Sequence, residues 1–191
     1  MTSLHNVLNN SYLDKDARAK MIGNYAYDYH LSNDEDAVYH NPIENKLLIT
    51  FKGTSNIKDL GTDANLAIGN LRNTARYKRS NDTYRNAKNK YSGSNTIIAG
   101  HSLAGSLASA IGDDNDTIYT YNKGSTIFGN STKTKKNEHS YRQQGDIVSV
   151  LDTKGNTFKN KNTLKTLINP WWKTAMESHT INHLNDKNIY I

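Results

Sequence analysis

Cysteine is absent from this chain of 191 residues. Its absence excludes a disulfide framework, a thiolate metal site and a cysteine nucleophile, and leaves stability to packing; it does not by itself decide the redox compartment. Proline is nearly absent, with only Pro42 and Pro170, and neither lies in a Pro-rich linker. With no tandem repeat either, nothing marks a domain boundary, and one domain over 1–191 is the expectation from length. No run approaches the roughly 18 apolar residues that span a bilayer, and the opening MTSLHNVLNNSYLDKDARAK has no continuous apolar stretch of the secretory kind. A soluble protein without a classical export signal is expected, cytoplasmic or virion-associated. Apolar residues are scarce as well, at 35% with a mean hydropathy of −0.79, so the core must be economical and the surface polar.

Positive charge is in excess. The net charge of +6 favours anionic partners, but Lys and Arg are spread along the chain. The densest basic stretch, STKTKKNEHSYR at 131–142, reads as a solvated loop. Nucleic-acid binding would rest on net charge alone and is not expected; it would show as salt-sensitive association. Asn, Lys, Ile and Tyr are frequent, a bias that AT-rich coding of a microbial or viral genome would produce.

Along the chain, Leu13, Ala17, Met21, Ile22, Tyr25 and Tyr29 fall near helical spacing and predict a first helix over 13–31. DEDAVYHN and NKLLITFKG read as two strands joined by a turn at Asn41, Pro42 and Asn45. The polar stretch 55–90 offers short helical pieces and an exposed helix in SNDTYRNAKNKY, capped by Ser80 or Asn81. NTIIAG predicts a buried strand, after which Leu103, Leu107, Ala110 and Ile111 form one face of a helix. DTIYTYN (116–122), EHSYRQQ (138–144) and DIVSVL (146–151) read as further strands. The alternation argues for an α/β sheet flanked by helices.

Where the strand NTIIAG becomes a helix the sequence is GHSLAG, so that Gly100, Ser102 and Gly105 approximate G-x-S-x-G, with Ala104 at the place of the second glycine and Gly105 directly after it. A sharp strand-to-helix turn forces strained backbone angles on the serine and requires flanking positions without bulk, which glycine supplies. The turn lifts the hydroxyl above the sheet, and the helix that follows aims N–H groups and its positive dipole end at any oxyanion formed there. A serine hydroxyl is a poor nucleophile without a base and a group that orients the base. On an α/β-hydrolase sheet those partners follow in the order acid, then histidine. His139 leaves little chain for an acid beyond the GDDND loop and is discounted. His179 leaves room for Asp146, with Gly145 as its turn residue and Asp152 in reserve. His183 lies four residues beyond His179 and can share its helix face, so spacing separates the two only modestly.

ITFKGTSNIKDLGTDANL, TIIAGHSLAGSLASA, QGDIVSV and SHTINHL, in that order over 47–184, resemble the four signature blocks of the class 3 lipase-like family of α/β-hydrolases. The resemblance implies a compact α/β-hydrolase sheet with a reduced lid or none. It assigns Ser102 as nucleophile, Asp146 as acid and His179 as base, with His183 a structural neighbour. Gly100, His101 and Gly105 would form the nucleophile elbow. The F-[RK]-G-[ST] block implies Thr54 as the first oxyanion donor, through its backbone N–H and its hydroxyl, with the Leu103 N–H as the second; Gly53 would let that loop pass close to substrate. The sequence departs from the family at Ala104, where a glycine is common, and at Ile147, where proline is frequent. It is also shorter than fungal members, which confines any lid to 61–79 and implies a shallow acyl groove.

The activity so implied is serine carboxylester hydrolysis of lipid or small acyl esters through an acyl-enzyme, with no metal or cofactor. Peptidase or thioesterase chemistry on the same triad, or a non-catalytic binding or structural role on the same fold, are the alternatives. In LINPWWKT, the adjacent Trp171 and Trp172 cannot both face the core of one element. An exposed Trp beside Lys173 suits a membrane interface, while a Trp covering the core near the site is the competing reading. Basic charge would aid docking to an anionic membrane surface by about 1 kcal/mol per well-placed Lys or Arg.

Overall fold

A strand whose residues are buried one after another must be covered on both faces. The computed structural model, which describes residues 1–54, 70–124, 135–143, 164–167 and 180–191, shows such strands at its centre. Five of the six residues of β4 (Lys46–Phe51) and six of the seven of β5 (Asn95–His101) are buried. They belong to an eight-stranded sheet in sequential order, with β1 (Met21–Ile22), β2 (Tyr25–Tyr27) and β3 (Asp36–Asn41) before them and β6 (Thr117–Tyr121), β7 (Glu138–Gln143) and β8 (Leu164–Leu167) after. Strands β1 to β4 form an antiparallel meander, and β4 to β8 run parallel.

Side chains alternate between two cores, as the period of two in a strand requires. Val38, Leu47, Ile49, Phe51, Ile98 and Ile118 meet helices α2 (Ala75–Lys90) and α3 (Leu103–Ile111) on one face. Ala37, Tyr39, Leu48, Ile97, Ala99, Tyr121 and Tyr141 meet Leu4, Val7 and Leu8 of α1 (Leu4–Ser11), together with Leu184, on the other. Leu184 lies in the 3₁₀ segment Ile181–Lys187. Backbone bonds from the Leu4 N–H to the Ile189 carbonyl (2.8 Å) and from the Ile191 N–H to the Thr2 carbonyl (2.9 Å) tie the residues after that segment to the start of the chain. Among the described residues no helix is long and apolar enough to cross a membrane.

The first helix lies elsewhere than the spacing over 13–31 suggests. Ser3 starts α1 by accepting the Asn6 N–H at 3.2 Å, whereas β1 and β2 form a hairpin in which Ile22 pairs with Tyr25. Its two-residue loop has Gly23 at φ +57°, a backbone conformation that glycine adopts freely and that turns a hairpin. The apolar spacing there is therefore overridden by turn chemistry. Helix α2 likewise starts earlier than Ser80, because Thr74 accepts the Tyr77 N–H at 3.1 Å, and Ser80 is buried within the helix. The turn at 41–45 is as expected: Asn41 Oδ1 accepts the N–H groups of Ile43 (3.1 Å) and Glu44 (3.2 Å), and Asn45 has φ +48°. The expected strand at 146–151 lies outside the described residues.

One anchor of the β2–β3 connection makes the fold pH-dependent. The buried Asp28 carboxylate accepts from Lys90 Nζ (2.5 Å), the Tyr91 hydroxyl (2.7 Å) and the N–H groups of His30 and Leu31. Burial pushes its pKa up, but these donors outweigh burial and hold it below the ordinary 3.8. The folded state then binds fewer protons than the unfolded chain, so this contribution is complete above about pH 4 and fades as pH falls through the lowered folded value. Asp28→Asn is expected to lower the melting temperature at pH 7 and to flatten its fall between about pH 4 and 2. An unchanged acid slope in thermal melts would refute the assignment.

Candidate active site

Strand β5 runs into α3 through a single residue, Ser102, at φ 59° and ψ −127°. This region is costly for any residue with a Cβ, by about 1–3 kcal/mol, and persists only where the surroundings impose it. Backbone contacts impose it here. The Ser102 N–H donates to the Tyr121 carbonyl at 3.1 Å, and the Ser102 carbonyl accepts from the N–H groups of Gly105 (3.0 Å) and Gly124 (3.1 Å). The Ser106 hydroxyl donates to the Gly124 carbonyl at 2.8 Å, which pins the segment after β6 beneath the turn. That segment is held in turn by a buried ion pair, Lys123 Nζ to Glu138 Oε1 at 2.8 Å, with the Thr120 hydroxyl donating to the same oxygen at 2.9 Å.

Both glycines of the turn have steric reasons. A Cβ on Gly100 would overlap the Ala104 carbonyl and lie 2.7 Å from the Gly105 nitrogen; one on Gly105 would come within 3.2 Å of the Gly100 carbonyl oxygen and 3.3 Å of Lys123 Cα. Ala104 itself is fully buried, so a methyl group fits where a second glycine is common in the resembled family. As the first residue of α3, Leu103 has a backbone N–H with no acceptor inside the helix.

The loop after β4 reaches the same place. Phe51 pairs with Gly100 in the parallel ladder, so 52–54 leave the sheet beside the turn. A Cβ on Gly53 would overlap the Tyr12 hydroxyl and lie 2.6 Å from the His101 carbonyl oxygen. Only glycine lets the backbone pass between them, and Thr54 follows directly. The structure thus brings Gly53, Thr54, His101, Ser102 and Leu103 to one end of the parallel sheet, where α/β folds place their sites.

Tyr12 is a neighbour that sequence spacing does not reveal. Its hydroxyl hydrogen-bonds His101 Nδ1 at 2.7 Å, and burial raises its pKa, which keeps the phenol neutral. His101 is also stacked on Tyr121 with ring centroids 5.6 Å apart. Its imidazole is therefore committed to packing under the turn. His139 lies in β7 opposite Tyr119, two positions short of the Tyr121–Tyr141 pair that is level with His101, and it is exposed and stacked on Tyr119. Its distance along the sheet agrees with discounting it. Asp146, Asp152, Trp171, Trp172 and His179 lie outside the described residues, as does 61–69 of the lid segment; His183 falls in the 3₁₀ segment Ile181–Lys187. Among the described residues, no group of three or more His, Asp or Glu could hold a metal ion.

A mixed sheet flanked by helices, with a serine at positive φ between a central parallel strand and its helix, defines an α/β-hydrolase-like architecture. Solved structures agree. Rhizomucor miehei lipase, in its propeptide complex, superposes with a TM-score of 0.54 at 16% identity, over 78% of this chain and 61% of that one. Lip2 lipase from Yarrowia lipolytica gives 0.52 at 15%, over 77% and 71%. A variant of MDLA from Penicillium cyclopium gives 0.53 at 11%, over 92% and 82%. At these identities the likeness is one of fold, and this chain spans about three-fifths of the Rhizomucor protein. No protein-family profile and no curated sequence matches the chain.

Proposed function

We propose that the protein is a serine hydrolase that cleaves carboxylester bonds of lipid acyl esters, as a lipase or phospholipase does. The observation that carries this reading is the backbone of Ser102. A strained serine is held at a strand-to-helix turn whose Gly100 is required by steric contacts, beside a glycine loop ending in Thr54. Strain of this kind persists where presenting a side chain is worth its cost. The lipase folds among its structural neighbours, and the ordered blocks around Asp146 and His179, support the same reading.

In the mechanism, His179 takes the proton from Ser102 Oγ as that oxygen attacks the acyl carbonyl, and Asp146 stays ionised and orients the imidazole. The N–H groups of Thr54 and Leu103 hold the tetrahedral oxyanion. His179 then passes its proton to the leaving alkoxide, which departs as an alcohol. Water, deprotonated by His179, attacks the acyl-enzyme and releases the fatty acid. Losing one oxyanion donor in such a site costs about 10² to 10³ in turnover. Trp171, Trp172 and the basic surface would bring the protein to an anionic lipid interface.

An alkyl phosphonate ester, which traps a serine nucleophile as a tetrahedral adduct, is expected to label the wild type once, on the peptide containing Ser102. p-Nitrophenyl esters of graded chain length should be hydrolysed with a preference that reports groove depth. Absence of both label and hydrolysis would favour a non-catalytic role. Label together with faster turnover of amides or thioesters than of esters would favour a peptidase or thioesterase.

A further inference from the structure

A basic residue in the first turn of a helix opposes the helix dipole, and α2 has no acidic residue there to compensate. Arg76 nevertheless occupies the second position of α2, with its side chain only 16% exposed. Its contacts show what holds it. Nη1 donates to Asp36 Oδ1 (2.8 Å) and to the Ser80 hydroxyl (2.8 Å), and that hydroxyl donates in turn to Asp36 Oδ1 (3.0 Å). Nη2 is spent on main chain, donating to the carbonyls of Glu35 (2.9 Å) and Lys52 (3.1 Å). The Glu35 carboxylate is kept close by a bidentate pair with Arg79, both contacts at 2.8 Å.

We infer that Arg76 is a positioning residue for the oxyanion loop, acting on the Thr54 N–H through the Lys52 carbonyl; this rests on the hydrolase reading given above. A peptide unit is planar, so fixing the Lys52 carbonyl fixes the Gly53 N–H with it. Lys52 is held at both ends, because its own N–H donates to the Glu35 carbonyl at 2.7 Å. Gly53 alone would sample a wide range of φ and ψ. It is confined on the far side by the Tyr12 hydroxyl and the His101 carbonyl and on the near side by the plane that Arg76 holds. Those two constraints narrow the directions open to the next amide, that of Thr54. A lysine could keep the charge opposite Asp36 but lacks the fork that reaches two carbonyls and a carboxylate together.

The test compares the wild type, Ser102→Ala, Arg76→Lys and the destabilised but remote Asp28→Asn on one water-soluble p-nitrophenyl ester. Melting temperature and phosphonate labelling rate are measured for each. Arg76→Lys is expected to lower kcat by about 10- to 100-fold, the scale of a reacting group displaced by about 1 Å, with KM within twofold and the labelling rate falling in step. Asp28→Asn should lose melting temperature while keeping kcat within about twofold. Wild-type kcat in Arg76→Lys, beside an inactive Ser102→Ala, would overturn the role of Arg76 and leave the hydrolase standing. Losses in Arg76→Lys that follow only the folded fraction, as in Asp28→Asn, would reduce Arg76 to a structural part and overturn it too. A wild type no faster than Ser102→Ala would fail the hydrolase reading, and this inference with it.

Discussion

Replacing Ser102 by alanine is expected to lower ester hydrolysis by about 10⁴- to 10⁶-fold, because nucleophile, base and acid act as a unit and the loss of one idles the others. A residual rate should survive from Thr54 and Leu103, whose amides still polarise a bound carbonyl and could favour attack by water. The fold should scarcely notice. The backbone contacts that hold residue 102, to Tyr121, Gly105, Ser106 and Gly124, do not use the side chain, and alanine tolerates φ 59° no worse than serine does. Circular dichroism and thermal unfolding of Ser102→Ala should therefore overlay the wild type within a few degrees. Ser102→Gly, which relieves the strain, should melt higher while remaining as inactive. A stability gain bought by losing the hydroxyl would be direct evidence that strain at this turn is kept for function. Wild-type turnover in Ser102→Ala would remove Ser102 from the chemistry altogether.

The parts of this structure that were legible beforehand are those whose information is local. In β4, β5 and β6 the apolar runs are short and bounded by turn residues. They stand out because a strand buried on both faces needs a continuous run, and α3 follows from four apolar positions on one face. The serine turn GHSLAG is legible for the same reason: the geometry that requires Gly100 and leaves little room at Gly105 is completed within six residues. The N-terminal region departs from its spacing because Tyr25 and Tyr29 satisfy a helical period while Gly23 and the pairing of Ile22 with Tyr25 impose a hairpin. Turn chemistry outweighed a weak periodicity.

Tyr12 and Arg76 were not legible, for a different reason. Each acts across a long stretch of chain, Tyr12 on His101 and Arg76 on Glu35 and Lys52, and neither stands in any pattern with its target. Ser80 shows the same limit: as a polar residue opening a polar run it reads as a cap, yet it is buried against Asp36 of a strand forty-four residues earlier. Buried polar side chains must find partners, and which partners they find is decided by topology. In this protein those long-range polar contacts converge on the loop beside the serine turn, which is why the local motif marks the nucleophile and leaves its supports unmarked.

Steric demand at that turn yields the second large effect. Gly100→Ala is expected to destabilise the protein by about 3–5 kcal/mol, at the severe end of single substitutions, and to lower the melting temperature by about 6–20 °C at the 2–4 °C per kcal/mol usual for chains of this length. The new Cβ would overlap the Ala104 carbonyl, which is backbone and cannot swing aside as a side-chain tip can. Moving β5 away would break its ladders to β4 and β6, and moving α3 would unseat Leu107 and Ala108 from the core. Gly105→Ala is the control. Its neighbours lie at 3.2–3.3 Å, a gap that shifts of a few tenths of an ångström can absorb, and alanine gains about 1 kcal/mol over glycine inside a helix. Its melting temperature should stay within a few degrees of the wild type. Thermal melts placing Gly100→Ala level with Gly105→Ala would mean that the turn is looser than described and that Ser102 is not held in the strained geometry on which the hydrolase reading depends.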